Sequence, residues 1–210
     1  MGTEVLMLQN LLEKMGYGDF VPTGYYGSKT VEFVKKYQVA NKITPTGTVG
    51  PITRNSLNSY LIAQQSEILY KTTLKYIGRD ASPADLADDD VGCADTVSSL
   101  LREAFGSQMG IPYMVSTYLM YKALLSSGSY AKSNRPSRGC IVISPSGYGN
   151  GNLSNGHVGI VGDEIRPGVW EIISNNSPTG TLEKNYDTDR WRSRYVHTGG
   201  YPMEYFKKIN

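Results

Sequence analysis

The amino-acid sequence predicts an α+β fold, because its helical patterns come first and its strand patterns come later. Apolar residues recur at helical spacing in segments up to about residue 127. Beyond that point, β-rich runs occur at residues 141–143, 157–161 and 169–174, separated by Gly, Asn, Ser and Pro. A tight turn at 166–168 predicts that the last two runs pair as a hairpin. Helices followed by antiparallel strands are typical of an α+β chain.

Three short helices are predicted within the first 60 residues. The first covers about residues 3–16 and ends at a glycine, and the second covers about 28–40. The third begins at Pro51, a residue that suits the first turn of a helix because it lacks an N–H. Together they predict a small three-helix domain over residues 1–60.

A larger domain is predicted to follow. The helical period continues after the third helix, which indicates a helical connector over residues 61–78 and a second domain over 79–210. Residues 81–90 are polar and acidic and predict a surface loop. A helix is expected to start near Cys93, and another to cover 116–127.

Composition excludes several classes of partner. The 210 residues contain 21 Lys and Arg against 19 Asp and Glu, so a net charge of +2 gives no basis for nucleic-acid binding. No apolar run is long enough for membrane insertion, and the N-terminus lacks the charged-then-apolar order of a signal peptide. We therefore expect a protein made in the cytoplasm without a signal peptide, monomeric, and without metal or cofactor.

The first 60 residues carry leucines, glutamines and glycines in a characteristic order. The set is Val5, Leu8, Gln9, Leu11, Leu12, Gly16, Tyr17, Gly24, Gly27, Thr30, Val31, Gln38, Gly47, Gly50, Pro51, Thr53 and Leu57. This string resembles the three-helix peptidoglycan-binding domain that accompanies many cell-wall hydrolases. The resemblance implies peptidoglycan as partner, with Tyr17, Tyr25 and Tyr26 as loop residues that could stack on sugar or stem peptide.

Cys93 and His157 are the candidate nucleophile and base of the second domain. Cys93 opens a predicted helix, where the partial positive charge of the helix N-terminus is expected to lower the thiol pKa. His157 begins a predicted strand after the glycine-rich segment 149–156, a position at which a cleft can form.

The surrounding motifs resemble the NlpC and CHAP families of papain-like wall hydrolases. These motifs are Gly92-Cys93-Ala94 at a helix start and Gly156-His157-Val158-Gly159-Ile160-Val161 in a strand. The resemblance implies a papain-like domain, with helices packed on an antiparallel sheet, in which Cys93 attacks an amide carbonyl and His157 serves as base. The third residue, which orients the imidazole, is expected on the following strand. We choose Asn175, and Asn176 and Glu171 remain alternatives.

The segment 174–180, with Trp191 and the ending that follows it, is similar to catalytic domains of phage lysins. The sequence thus predicts an endolysin-like peptidoglycan hydrolase, a cysteine endopeptidase or N-acetylmuramoyl-L-alanine amidase, delivered to the wall through a membrane pore or by secretion. Trp191 is expected to line the substrate cleft. The alternatives are a zinc-dependent amidase, for which His157, His197 and Cys93 are the available ligands, and a wall-binding protein without catalysis.

Overall fold

A computed structural model describes residues 2–19, 21–82, 92–148 and 156–209. The chain divides into two compact units, Met1–Tyr60 and Leu61–Asn210. Most of the predicted acidic loop at 81–90, and nearly all of the predicted glycine-rich segment at 149–156, lies outside the described residues.

The N-terminal unit is built on three helices, as predicted. These are α1 (Thr3–Lys14), α2 (Ser28–Ala40) and the first part of α3, which extends over Pro51–Leu74. Their apolar faces meet in one small core, and its buried members are Leu12, Phe33, Val34, Tyr37 and Leu57. The helical periodicity of the sequence thus gives the correct elements, and the third helix runs on without a break instead of restarting.

Gln9 fixes the loop between α1 and α2. Its buried side-chain amide donates to the Tyr25 carbonyl at 2.9 Å and to Thr30 Oγ1 at 2.8 Å. Its Oε1 accepts from the backbone N–H groups of Thr23 and Gly24 at 2.8 and 2.9 Å. One side chain therefore forms four hydrogen bonds, three of them to the backbone of the loop and one to the first turn of α2.

Gln38 does the same for the loop between α2 and α3. Its Nε2 donates to the Thr48 carbonyl at 2.9 Å and to Thr53 Oγ1 at 3.0 Å, and its Oε1 accepts from the Gly47 N–H at 2.9 Å. Gly47 has φ +75°, a left-handed conformation that favours glycine. In both cases a buried glutamine on a helix forms hydrogen bonds that fix the conformation of the loop after that helix.

The C-terminal unit is a six-stranded antiparallel sheet with helices, which confirms the α+β class. Its helices are the second part of α3, α4 (Gly92–Phe105), α5 (Thr117–Ser126) and α6 (Thr188–Trp191), and α6 continues into a π-helical segment, Arg192–Thr198. The strands are β1 (Tyr130–Ser133), β2 (Ile141–Ser144), β3 (His157–Arg166), β4 (Val169–Asn176), β5 (Thr181–Asp187) and β6 (Glu204–Lys208). Their order across the sheet is β1-β6-β2-β3-β4-β5, and β3 and β4 form the predicted hairpin.

The two faces of the sheet carry separate apolar clusters. On one face, Val158, Ile160 and Ile173 pack with α4 and α5. On the other face, alternate residues of the same strands pack with Trp191 and Tyr195. Since successive side chains of a strand point to opposite faces, neighbouring residues in β3 and β4 enter different environments.

Within the ranges that the structure describes, no helix is both long enough and apolar enough to cross a membrane.

Candidate active site

The first turn of α4 positions Cys93. The helix begins at Gly92, and its apolar face buries Ala94 and Val97 against the sheet. This packing directs the half-buried Cys93 toward the start of β3, where its Sγ lies 4.0 Å from the Gly156 carbonyl oxygen. Gly156 directly precedes His157, so Cys93 lies beside the backbone at the start of β3. The two side chains lie on different faces of the sheet, because Cys93 packs with the α4-face cluster and His157 packs with Trp191 and Tyr195 on the other face.

Gly156 is held there by α5 and by the residues after β2. Its N–H donates to Ser146 Oγ at 3.1 Å, and that hydroxyl lies 3.0 Å from Thr117 Oγ1 at the start of α5. A Cβ on residue 156 would fall 2.4 Å from both the nitrogen and the Oγ of Ser146. Only glycine fits at position 156. The close packing and the hydrogen bond to Ser146 hold the Gly156 peptide whose carbonyl faces the Cys93 sulfur.

Burial controls the acidity of the Cys93 thiol. Desolvation raises its pKa to about 11, although backbone N–H groups of Val158 and of the helix start favour the thiolate. The N–H groups at the helix start do lower this pKa, as expected from the sequence, but the desolvation of the thiolate outweighs them, so the net pKa is raised.

His157 is oriented by a hydroxyl on the neighbouring strand. Its Nε2 lies 3.0 Å from Ser174 Oγ, and Ser174 Oγ donates to Asn185 Oδ1 at 2.7 Å. Because the hydroxyl proton is used toward Asn185, Ser174 accepts a hydrogen bond from His157 Nε2–H. The neutral imidazole then carries its lone pair on Nδ1. No hydrogen bond between Cys93 and His157 occurs in the described part of the chain.

Aromatic rings enclose the imidazole. The ring of Trp191 stacks on His157 with centroids 5.1 Å apart, and that of Tyr195 stacks at 5.3 Å. Tyr186 approaches edge-on at 5.9 Å. Burial in this cage, with a smaller effect of the Arg194 charge, lowers the pKa of His157 to about 3, so the imidazole is neutral.

Trp191 does not have the place expected of it. Its side chain is 0 % exposed, and its Nε1 donates to Ser144 Oγ at 2.9 Å. The predicted substrate contact by Trp191 is corrected accordingly. The indole belongs to the apolar cluster on the face of the sheet opposite α4, where it stacks on the imidazole of His157. It points inward because α6 directs its side chain toward the sheet.

Asn175 also differs from its expected place. The hydrogen bond to the imidazole is made by Ser174, whereas Asn175 lies on the α4 face of β4, the face to which Ile173 also points. Its Nδ2 would lie 2.8 Å from a Cβ built on Gly92. The reason is strand alternation, which gives adjacent residues opposite faces.

The two alternatives for the third residue have other partners. Asn176 donates from Nδ2 to Glu183 Oε2 at 2.9 Å, and Glu171 forms an ion pair with Lys184 at 3.1 Å. Sequence reasoning missed Ser174 and Asn185 altogether. The alternation of side chains between the two faces of β4 could have indicated Ser174, because it places Ser174 and Asn175 on opposite faces of the sheet.

The three tyrosines of the N-terminal unit have different surroundings. Tyr25 is 73 % exposed, whereas Tyr26 is half-buried and donates its hydroxyl to the Gly47 carbonyl at 2.8 Å. The half-buried Tyr17 packs edge-on against Tyr37 with ring centroids 5.4 Å apart. It borders a shallow depression whose lining residues are Gly16, Tyr17, Gly18, Asp19, Phe33 and Lys36. Tyr25 offers the most accessible ring.

Comparison with known families identifies one part of the chain. Residues 1–57 match a family model described as a putative peptidoglycan binding domain. This match supports a peptidoglycan-binding domain at the N-terminus, with peptidoglycan as its partner, and suggests association with the cell wall. No curated protein matches the chain.

In the ranges 2–19, 21–82, 92–148 and 156–209, no three His, Cys, Asp or Glu side chains are grouped so that they could hold a metal ion. Cys93 Sγ approaches the Gly156 carbonyl, the imidazole of His157 lies on the other face of the sheet, and His197 lies exposed in the π-helical segment.

Proposed function

We propose that this protein is an endolysin-like peptidoglycan hydrolase that cleaves an amide bond of the cell wall with Cys93 as nucleophile and His157 as base. The observation that carries the proposal is the position of the Cys93 sulfur, at the start of α4 and 4.0 Å from the carbonyl of the residue before His157. A helix-borne thiol at the start of the strand that bears the histidine is the arrangement expected of a papain-like hydrolase. The reaction requires the imidazole to turn toward Cys93 from the face on which it packs with Trp191 and Tyr195. The peptidoglycan-binding domain supplies the substrate class.

The resting site holds a neutral thiol and a neutral imidazole, since the two pKa values lie near 11 and 3. Proton transfer therefore accompanies the attack instead of preceding it. In this proposal the imidazole turns toward Cys93 when substrate binds, and the thiol proton passes to Nδ1 of His157, the nitrogen that Ser174 leaves free, as Cys93 Sγ adds to the amide carbonyl carbon. The electron pair of the carbonyl double bond moves to oxygen, which the Cys93 N–H stabilises.

Collapse of this intermediate breaks the C–N bond, and the imidazolium returns its proton to the leaving amine. Water then adds to the thioester while His157 accepts one of its protons. The second collapse breaks the C–S bond, and the proton returns to sulfur. The overall reaction is hydrolysis, as in a cysteine endopeptidase or an N-acetylmuramoyl-L-alanine amidase.

Ser174 and Asn185 serve in this proposal as positioning residues. Their hydrogen bonds, 3.0 and 2.7 Å long, hold the proton on Nε2 and keep Nδ1 available as the base. They take the role that the sequence assigned to Asn175.

The test is digestion of purified peptidoglycan by the full chain and by its Cys93→Ala variant, with fragments identified by mass spectrometry. We expect the parent to release new amine ends and the variant to release none, and the fragment masses name the bond. Cys140→Ala is the matched control, because Cys140 is the other free cysteine and is fully buried. Equal activity of parent and Cys93→Ala would exclude the thiol mechanism. Binding to walls without cleavage would support a non-catalytic wall-binding protein.

A further inference from the structure

Asn175 is a buried amide that the fold places beside the nucleophile and leaves only partly used. It is 5 % exposed, and its Oδ1 has no hydrogen-bond partner in the described chain. An unpaired buried amide oxygen is destabilising, so stability does not explain an asparagine at this position.

The strand register places Asn175 next to Cys93. Ile173 pairs with Ile160 across β3 and β4. Continuing this antiparallel register places Asn175 opposite Val158, the residue whose backbone N–H acts on the Cys93 thiol. Directly opposed residues share a face of the sheet, and for this pair it is the face that α4 covers.

The helix start is shaped around the Asn175 side chain. A Cβ on Gly92 would lie 2.8 Å from Asn175 Nδ2, so any other residue at position 92 would displace the amide. The absence of a side chain at Gly92 thus leaves space for the Nδ2–H₂ group of Asn175 at the N-terminus of α4, one residue before the nucleophile.

We propose that Asn175 Nδ2 is a second oxyanion donor, which acts with the backbone N–H of Cys93 on the carbonyl oxygen of the scissile amide. The inference rests on the proposed function and gives Asn175 a catalytic role different from that expected from the sequence. A side-chain amide can donate to an oxygen that gains negative charge, and the effect of such a donor is largest in a water-poor site. The unpaired Oδ1 leaves the amide free to adjust when substrate enters.

Two reactions of Cys93 separate this role from a structural one. Amide hydrolysis passes through an oxyanion, whereas alkylation of the thiol by iodoacetamide forms a C–S bond with loss of iodide and no oxyanion. We expect Asn175→Ala to lower the turnover of purified peptidoglycan by about 10²- to 10³-fold. The alkylation rate of Cys93 and its dependence on pH between 7 and 11 should stay within about twofold of the parent.

Asn175→Leu, which is similar in volume and lacks the donor, guards against effects of the cavity in the alanine variant. Asn176→Ala is the matched control, since this neighbour bonds to Glu183 and should keep parental turnover. Tryptophan fluorescence during thermal unfolding shows whether each variant is folded.

Unchanged turnover in a folded Asn175→Ala or Asn175→Leu variant would overturn the inference while leaving the thiol mechanism intact. A parallel loss of turnover and alkylation would also overturn it, because Asn175 would then position the thiol. If the parent itself releases no fragments, the proposed function fails and the inference fails with it.

Discussion

The two units differ in the hydrogen bonding of particular buried polar side chains. In the N-terminal unit, the amides of Gln9 and Gln38 are hydrogen-bonded at both ends, and each fixes a loop. At the first turn of α4 in the C-terminal unit, Asp95 Oδ2 and Asn175 Oδ1 are buried and lack partners among the described residues. Satisfied amides build a rigid surface for binding, whereas unsatisfied ones keep hydrogen-bonding capacity for a ligand.

His157 lies between these extremes. One ring nitrogen is fixed by Ser174, and the other is the base in the proposed mechanism. A single imidazole thus has one nitrogen in a structural hydrogen bond and one nitrogen that the proposed mechanism uses. Changes to the surroundings of His157 test this contrast most directly.

The largest expected effect is acid destabilisation through His157. A free imidazole has a pKa of about 6.5, and burial lowers the pKa of His157 in the folded chain to about 3. At a pH between about 3 and 6.5, His157 is protonated in the unfolded chain and neutral in the folded chain. The stabilisation is complete above pH 6.5, falls by about 1.4 kcal/mol per pH unit below it, and reaches a loss of about 4 kcal/mol near pH 3.

Urea unfolding, monitored by tryptophan fluorescence, measures this slope for the C-terminal unit, because both tryptophans, Trp170 and Trp191, lie beyond residue 60. The His157→Gln variant should lose the slope between pH 6.5 and 5, a window above the usual titration range of carboxylates. An equal slope in parent and variant would assign the acid sensitivity to another group.

The next largest effect is expected from the Gln38→Ala variant. This change leaves the buried Gly47 N–H and Thr53 hydroxyl without their partner and should lower the free energy of unfolding of the N-terminal unit by about 3 kcal/mol. Circular dichroism should show an earlier helical transition, while the tryptophan transition stays in place. Asn41→Ala removes an exposed side-chain amide from the end of the same helix and serves as control. Equal effects of the two changes would contradict the assigned role of Gln38.

A smaller effect, about 2 kcal/mol, is expected from Ser174→Ala. The change leaves the buried His157 Nε2–H unpaired and removes a hydrogen bond from the half-buried Asn185 Oδ1. Long-range ¹⁵N–¹H correlation spectra should show the Nε2–H tautomer in the parent and a mixture of tautomers in the variant. A variant with the parental tautomer would show that the aromatic cage alone orients the imidazole.

Much of the fold is predictable from the sequence, and the exceptions have a common cause. Helices α1 to α5 and strands β2 to β4 follow apolar periodicity. Strands β1, β5 and β6 were not predicted. Strand β5, with the sequence TLEKNYD, lies at one edge of the sheet and β1 at the other, and both carry polar residues with little alternation. Strands β1 and β6 pair with each other from distant positions in the chain, and β5 pairs with the preceding β4, so pairing across the sheet, rather than local pattern, makes all three of them strands.

The candidate site was predictable only where it depends on local position. Cys93 at a helix start and His157 at a strand start follow from patterns within a few residues. Which of Ser174 and Asn175 contacts the imidazole depends on the face of β4, and Asn185 comes from an edge strand that the sequence does not reveal. The pKa of the thiol depends on burial, which the sequence does not give.

The smallest expected effects separate two adjacent tyrosines of the N-terminal unit. Tyr26→Phe removes the hydrogen bond to the Gly47 carbonyl and should cost about 1 kcal/mol of stability, with wall binding retained. Tyr25→Ala removes a ring that is 73 % exposed, so stability should change by less than about 0.5 kcal/mol, while affinity for the wall falls about fivefold. Co-sedimentation with insoluble peptidoglycan, in a Cys93→Ala background that prevents digestion, measures the affinity. If Tyr25→Ala binds the wall as well as the parent does, the exposed ring is not a contact, and the binding surface lies elsewhere on the unit.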